Sequence, residues 1–249
     1  MINRVAVVGA GLMGSGIAHH LASHGADVVL IDRDQVQLDK ASPLFDTLLV
    51  TLTTDLTHLV DREFVIEAVF EDIDIKRRVL REVSAQISHE AVIATNTSSL
   101  LVSDLRDSVV QPNRFIGVHF NNPPNFNPIV EIIPSAETTQ RVTESVYSWI
   151  KSTGKRAILC ADTPCFILNR QSLPYINEAA RCLDIATPAQ IDAVACEHLG
   201  VGLGPFAVMN LVGLPVMAAA SRNLSVLGRG YQPSTELQER AKHTEPAWE

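Results

Sequence analysis

The chain has 249 residues, of which 46 % are hydrophobic and 19 % charged. That is enough material for a sizeable core in one large or two small domains, and it excludes a disordered or fibrous chain. The formal net charge of −8 argues against a general nucleic-acid binder, because phosphate contacts need clustered Lys and Arg.

Met1-Ile2-Asn3-Arg4 runs straight into an apolar segment and a glycine loop. No long apolar signal core or membrane-spanning run lies there, so a cytoplasmic protein without a membrane partner is expected. Cys160, Cys165, Cys182 and Cys196 form no C-x-x-C pair and have no His cluster beside them. They read as free thiols, with buried and inert as the default for each, and no metal is expected.

Val5 to Val8 is a short apolar run ending in glycine, and Leu12 to His24 reads as a helix closed by Gly25. Asp27 to Ile31, Phe64 to Val69, Ala91 to Thr95, Phe115 to Phe120 and Ile129 to Ile133 are further strand candidates. Ile75 to Ile87 carries apolar residues at helical spacing among charges. Continuous β-branched runs separated by helices predict an α/β chain, a Rossmann-type doubly wound parallel sheet covered on both faces. The character changes near Ala161. Asp162-Thr163-Pro164 looks like a helix start, Thr187-Pro188 repeats that signal, and Gly200 to Gly204 is a loop. Pro205 to Ala220 reads as one further helix, and the polar tail from Gly228 to Glu249 is expected to be only partly ordered. The expected division is therefore 1–160 for a nucleotide-binding domain and 161–249 for a small all-helical one.

Gly9-Ala10-Gly11-Leu12-Met13-Gly14 is a G-x-G-x-x-G placed after a strand candidate and at the mouth of a helix. The first glycine permits a tight turn, the second lets a pyrophosphate approach the backbone, and the third lets helix and strand pack closely. Asp32 closes the second strand, 18 residues after Gly14. An acid there accepts hydrogen bonds from ribose hydroxyls and repels a 2′-phosphate, favouring NAD over NADP. Arg33 beside it can pair with such a phosphate and weakens that preference. The plainer reading is a glycine turn and a surface Asp.

Three later segments bear on chemistry: Asn96-Thr97-Ser98-Ser99-Leu100; Gly117 to Pro123 followed by Ile129 to Ile133; and Asp162 to Arg170. Small polar residues, a His and an Asn at element ends suit a cleft between domains. Taken singly, His119 could be a packed residue, Glu131 an edge charge, Asn169 a helix-surface residue and Ser98 a helix cap.

Together with Val65 to Glu71 and Gly204-Pro205-Phe206 through Gly213-Leu214, these segments resemble the 3-hydroxyacyl-CoA dehydrogenase family over nearly the whole chain. The resemblance implies a Rossmann domain joined to a helical dimerisation domain, with the active site between them and NAD as cofactor. It puts His119 at the catalytic histidine and Glu131 at its carboxylate partner. Ser98, Asn122 and Asn169 fall around the substrate and nicotinamide, and Glu71 and Lys76 near the cofactor, beside Asn96. Chemically, an imidazole near neutrality suits proton removal from an alcohol, and a carboxylate on its other nitrogen fixes the tautomer. Ser98 and Asn169 can hydrogen-bond the reacting oxygen or the thioester carbonyl.

Two departures stand out. Family members carry a long helical hairpin, with Ser and Lys contacts to CoA, where the route from Asp32 to Phe64 here is short, with Pro43 early and a strand-like Val50 to Thr54 after it. Asn121 replaces a usual aromatic after His119, and Pro124-Asn125-Phe126-Asn127 replaces a more apolar stretch, suggesting a short or polar acyl group. The expected function is an NAD-dependent 3-hydroxyacyl-thioester dehydrogenase acting on acyl-CoA. Alternatives are the same chemistry on an acyl-carrier-protein thioester such as a glyceryl one, an enzyme of free hydroxy acids, and a non-catalytic NAD-binding homologue. A homodimer is expected from the resemblance.

Overall fold

Val5, Ala6 and Val7 are wholly buried, as are Val28, Leu30, Phe64, Val65 and Ile66. Burial on both faces is what turns such runs into central parallel strands rather than alternating ones. In the computed structural model, which describes residues 2–242 and 248, they form β1 (Arg4–Val8), β2 (Asp27–Ile31) and β4 (Phe64–Glu67), with β3 (Val50–Thr53) on the edge. β5 (Val92–Thr95), β6 (Phe115–Phe120), β7 (Ile129–Pro134) and β8 (Arg156–Leu159) complete one sheet in the order β3-β2-β1-β4-β5-β6-β7-β8. The strand order reverses between β1 and β4, the switch point at which ligands bind beyond the carboxyl ends of strands in such sheets.

Helices α1 (Leu12–Ser23), α2 (Gln35–Ala41), α3 (Ile73–Gln86) and α4 (Gln140–Ser152) cover the sheet. Ile17 and Leu21 of α1, and Val146 and Ile150 of α4, share one core with Val5, Val7, Phe64 and Val118. Each such side chain, fully withdrawn from water, contributes about 1.5–3 kcal/mol. This Rossmann-type sheet lies in the first of two units, Met1–Thr163; the second, Pro164–Glu249, is helical.

The second unit contains α5 (Leu168–Arg181), α6 (Pro188–Leu199), α7 (Pro205–Val212), α8 (Leu214–Leu224) and α9 (Thr235–Arg240). Thr187 caps α6 through a full capping box with Gln190, as its Thr-Pro signal predicts. Asp192 of α6 accepts from the Phe206 and Ala207 amides at 2.8 and 3.0 Å, capping α7 from a distance.

Several expectations are corrected. The sheet is not wholly parallel: β7 runs antiparallel to β6. β8 and α4 were not anticipated. Pro205 to Ala220 is not one helix, because Gly213 at φ 97° breaks it between α7 and α8. Asp162-Thr163-Pro164 does not start a helix. Cys165 and Phe166 have positive φ, and α5 begins only at Leu168. The Asp162 carboxylate instead accepts from the Val102 and Ser103 amides, both at 2.8 Å, at the head of a 3-10 turn (Val102–Asp104). In the polar tail, α9 is formed and Trp248 is buried against Phe206 at a ring separation of 5.0 Å; residues 243–247 and 249 lie outside the described residues.

Candidate active site

The glycine loop is shaped by close approach. Gly9 has φ +110°, and a Cβ there would lie 2.6 Å from the Ala68 carbonyl oxygen; one at Gly14 would lie 1.8 Å from the Gly9 carbonyl oxygen. A Cβ at Gly11 meets nothing within 4 Å, so the open side of the loop is where a phosphate can reach the backbone. Leu12 and Met13 begin α1, which has no side-chain cap and no acidic residue in its first turn. Helix-start amides without a cap, at the positive dipole end, are donors suited to a pyrophosphate. Asp32 stands just past β2, its Oδ2 accepting from the Ala10 amide at 2.7 Å and its Oδ1 from the Asp34 amide at 2.9 Å. The acid is thus fixed against the glycine loop, and Arg33 beside it is exposed. This donor set and its flanking acid fit a dinucleotide.

The carboxyl end of β4 carries a buried ion network. Glu67 is wholly buried, and its carboxylate accepts from Lys76 Nζ at 2.8 Å, the Val69 amide at 2.8 Å and Thr95 Oγ1 at 2.7 Å. Lys76 Nζ also lies 3.3 Å from Glu71 Oε2. Burial alone would drag the Lys76 ammonium down, but Glu67 and then Glu71 hold its pKa above the ordinary lysine value. Glu71 Oε1 accepts from Thr97 Oγ1 at 2.6 Å and from the Ser98 and Ser99 amides at 2.8 and 2.9 Å. The acid therefore sculpts the loop that presents Ser98. Lys76 is too deep to project outward; it neutralises the acids beneath that loop. Sequence reasoning missed Glu67 and Thr97, although an acid inside the apolar run Phe64 to Val69 was the available signal.

Asn96 links this loop to the next strand, its Oδ1 accepting from the Phe120 amide at 2.8 Å. One residue earlier, His119 pairs in register with Glu131 across β6 and β7. Their side chains meet at 2.7 Å, His119 Nδ1 to Glu131 Oε2, with His119 5 % exposed and Glu131 wholly buried. In the antiparallel ladder, partners facing the same side bring their side chains together, so the pairing geometry alone creates this dyad. Cys160 just after β8 adds a third member, its thiol donating to Glu131 Oε1 at 3.5 Å. Burial, and then the Glu131 carboxylate, push that thiol up to about 12.

Asn122 is half-buried in the turn after β6. Asn169 is half-buried at the second position of α5, in the second unit. The structure thus assembles Gly9, Gly11, Gly14, Asp32, Glu71, Asn96, Ser98, His119 and Glu131 along the carboxyl ends of β1, β2, β4, β5 and β6 and their partner β7. Among the described residues, no group of three or more His, Cys, Asp or Glu could hold a metal ion, and no single helix is long and apolar enough to cross a membrane.

The family model for the NAD-binding domain of 3-hydroxyacyl-CoA dehydrogenase matches residues 4–49 and 45–163, and that for its C-terminal domain matches residues 166–246. The chain belongs to the 3-hydroxyacyl-CoA dehydrogenase family. As a member, it is an NAD-dependent oxidoreductase. Within the family it is 35 % identical to a 3-hydroxybutyryl-CoA dehydrogenase of Clostridioides difficile, over 87 % of this chain and 85 % of that one. It is 30 % identical to the mitochondrial hydroxyacyl-coenzyme A dehydrogenase of Sus scrofa, over 86 % of this chain and 77 % of that one. The crystal structure of an (S)-3-hydroxybutyryl-CoA dehydrogenase from Ralstonia eutropha superposes with a TM-score of 0.88 at 29 % identity, covering 97 % of this chain and 94 % of the other.

Proposed function

We propose that the chain interconverts a short 3-hydroxyacyl thioester and its 3-keto form, with His119 as the acid–base group and Glu131 as its partner. The observation that carries this reading is the buried 2.7 Å contact between His119 Nδ1 and Glu131 Oε2. Bound NAD supplies the hydride acceptor. With Nδ1 committed to the carboxylate, proton exchange with the C3 hydroxyl falls to Nε2, and the carboxylate stabilises the imidazolium as it forms. In the reverse direction the same nitrogen returns the proton. Ser98, held by Glu71, and Asn169 supply hydrogen bonds to the reacting oxygen or the thioester carbonyl. Asn122 lines the nicotinamide side, and Glu71 with Lys76 shapes the loop there.

The acyl-CoA thioester is the first substrate class, in keeping with the names of the relatives above. Carrier-protein thioesters are a second reading, favoured by one feature. Only the seven-residue α2 and a four-residue 3-10 turn (Ser42–Phe45) separate β2 from β3, with no long helical hairpin to grip an adenine nucleotide. A homodimer through the second unit is supported by its exposed Leu199, Leu203, Leu211 and Val216, and light scattering in solution tests it.

The deciding experiment follows NADH at 340 nm with matched CoA and carrier-protein 3-hydroxyacyl thioesters and free hydroxy acids. Wild type is expected to turn over a thioester. His119→Gln and Glu131→Gln should lose about 10²–10⁴-fold in kcat, the usual scale of acid–base assistance, while NAD affinity persists. Wild-type turnover by His119→Gln would remove the assignment.

A further inference from the structure

Lys155, between Gly154 and β8, is 7 % exposed. Its ammonium has no carboxylate within ion-pair distance among the described residues. It donates instead to two carbonyls of the β6–β7 connection, Pro124 O at 2.6 Å and Asn127 O at 2.7 Å. His20 of α1, a titratable group that interacts with it, brings no counter-charge, because burial, and then the lysine itself, push that imidazole down to about 3. A buried cation without a counter-ion is expensive, and burial lowers the Lys155 pKa accordingly. A neutral donor would tie a loop at less cost, so the site spends stability to hold these two carbonyls.

The connection it holds is the one that leaves β6 immediately after His119 and Phe120. It is otherwise closed by the Phe126 and Asn127 amides donating to Pro123 O, at 3.1 and 2.8 Å. Its other flank rests on the cofactor helix: a Cβ at Gly16 would lie 3.0 Å from both Asn125 Oδ1 and Pro124 Cγ. Its tip bears Phe126, 82 % exposed. The loop is therefore pinned by one ammonium and by α1, and it presents an exposed apolar ring at its tip.

We propose that Lys155 is a positioning residue that fixes the Asn121–Pro128 connection between β6 and β7 against the NAD helix, and thereby sets which acyl groups are accepted. The proposal rests on the reading of His119 as the acid–base group, since the connection leaves β6 directly after that residue; Asn122 at its start lines the nicotinamide side, and Pro124 to Asn127 are the part assigned to the acyl group. Removing the cation frees two carbonyls and lets the loop drift. A drift on the order of 1 Å at a substrate-positioning element costs up to about 10²-fold.

The test uses the full chain with NAD and a series of 3-hydroxyacyl thioesters of increasing acyl length. Lys155→Met is expected to raise KM about tenfold or more for the preferred acyl group and flatten the preference across the series, with a smaller loss of NAD affinity, because Asn122 and α1 border the same loop. For Lys155→Ala, added propylammonium is expected to restore part of the selectivity, which a general loss of stability would not show. Lys155→Arg keeps the charge but cannot place its donors at the same points; it is expected to fold and to show an intermediate preference, so the test stands even where the neutral variants fail to fold. Unaltered acyl preference in Lys155→Arg, with His119→Gln inactive, overturns the proposal alone. Full activity in His119→Gln overturns the reading beneath it.

Discussion

The Cys160 thiol donates to Glu131 Oε1 at 3.5 Å, while the other oxygen of the same carboxylate holds His119 at 2.7 Å. The carboxylate is thereby fixed at both oxygens, and the cysteine is kept protonated in return. Because the thiolate is the reactive form, a thiol pushed up to about 12, first by burial and then by Glu131, is inert at working pH. Treating the native protein with iodoacetamide at pH ~8 should label the exposed Cys196 and spare Cys160 until the chain is unfolded. Peptide mass spectrometry reads the outcome; rapid native labelling of Cys160 would contradict the buried thiol–carboxylate contact.

Asp32 has two tasks that one substitution separates. It lies just past β2, where the proposed reading puts the adenosine ribose, and it also accepts from the Ala10 amide at 2.7 Å. Asp32→Asn keeps an oxygen for the amide and removes the charge that repels a 2′-phosphate, while Arg33 remains beside it. The kcat/KM ratio of NAD to NADP is expected to fall by roughly 10- to 100-fold, the worth of one charged hydrogen bond. Asp32→Ala should lose affinity for both cofactors, because the glycine loop also loses its tether. An unchanged ratio in Asp32→Asn would place the ribose elsewhere.

The glycine loop and its acid were legible because backbone sterics dictate them: only glycine fits where Gly9 approaches Ala68 within 2.6 Å of a would-be Cβ. The strands were legible as unbroken apolar runs. β8, by contrast, is Arg156-Ala157-Ile158-Leu159 with exposed ends, too short and too mixed to signal itself. Residue spacing gave no hint that Glu131 faces His119, since that depends on antiparallel pairing, and the residues alone read as a parallel sheet. The partnership was reached through family resemblance. Asp162 misled for a similar reason: its capping chemistry is real, but it caps a turn some 60 residues away rather than the helix that follows.

The Glu67–Lys76–Glu71 network makes the first unit sensitive to acid in a defined way. Burial pushes the Glu71 carboxyl up, but the Lys76 charge and the hydrogen bonds from Thr97, Ser98 and Ser99 outweigh it and hold the group below its ordinary 4.5. A carboxylate with a depressed folded pKa contributes stability that is fully present above the unfolded value and is lost as pH falls through the folded one. Glu71→Gln should therefore melt lower than wild type near neutrality, with the gap narrowing as pH drops below about 4.5. Thermal melts across that window check it, and a constant gap would dissociate Glu71 from the acid response. Lys76→Met, which strands two acids, should cost about 3–5 kcal/mol.

Asp192 offers a test confined to the second unit. Its two oxygens accept from the Phe206 and Ala207 amides, the first free donors of α7, and the negative charge sits at the positive end of that helix. Neither contact touches the glycine loop or the His119–Glu131 pair, both of which lie in the first unit. Asp192→Ala should lose about 1–2 kcal/mol in urea unfolding, the usual worth of a helix cap. Asp192→Asn, which keeps an acceptor but not the charge, should lose less. Phe206 also packs on Trp248 at 5.0 Å between rings; because Trp149 of the first unit is the second tryptophan, fluorescence read in a Trp149→Phe background reports this end of the unit. An Asp192→Ala protein with the wild-type urea midpoint would mean that water satisfies those two amides as well as the carboxylate does.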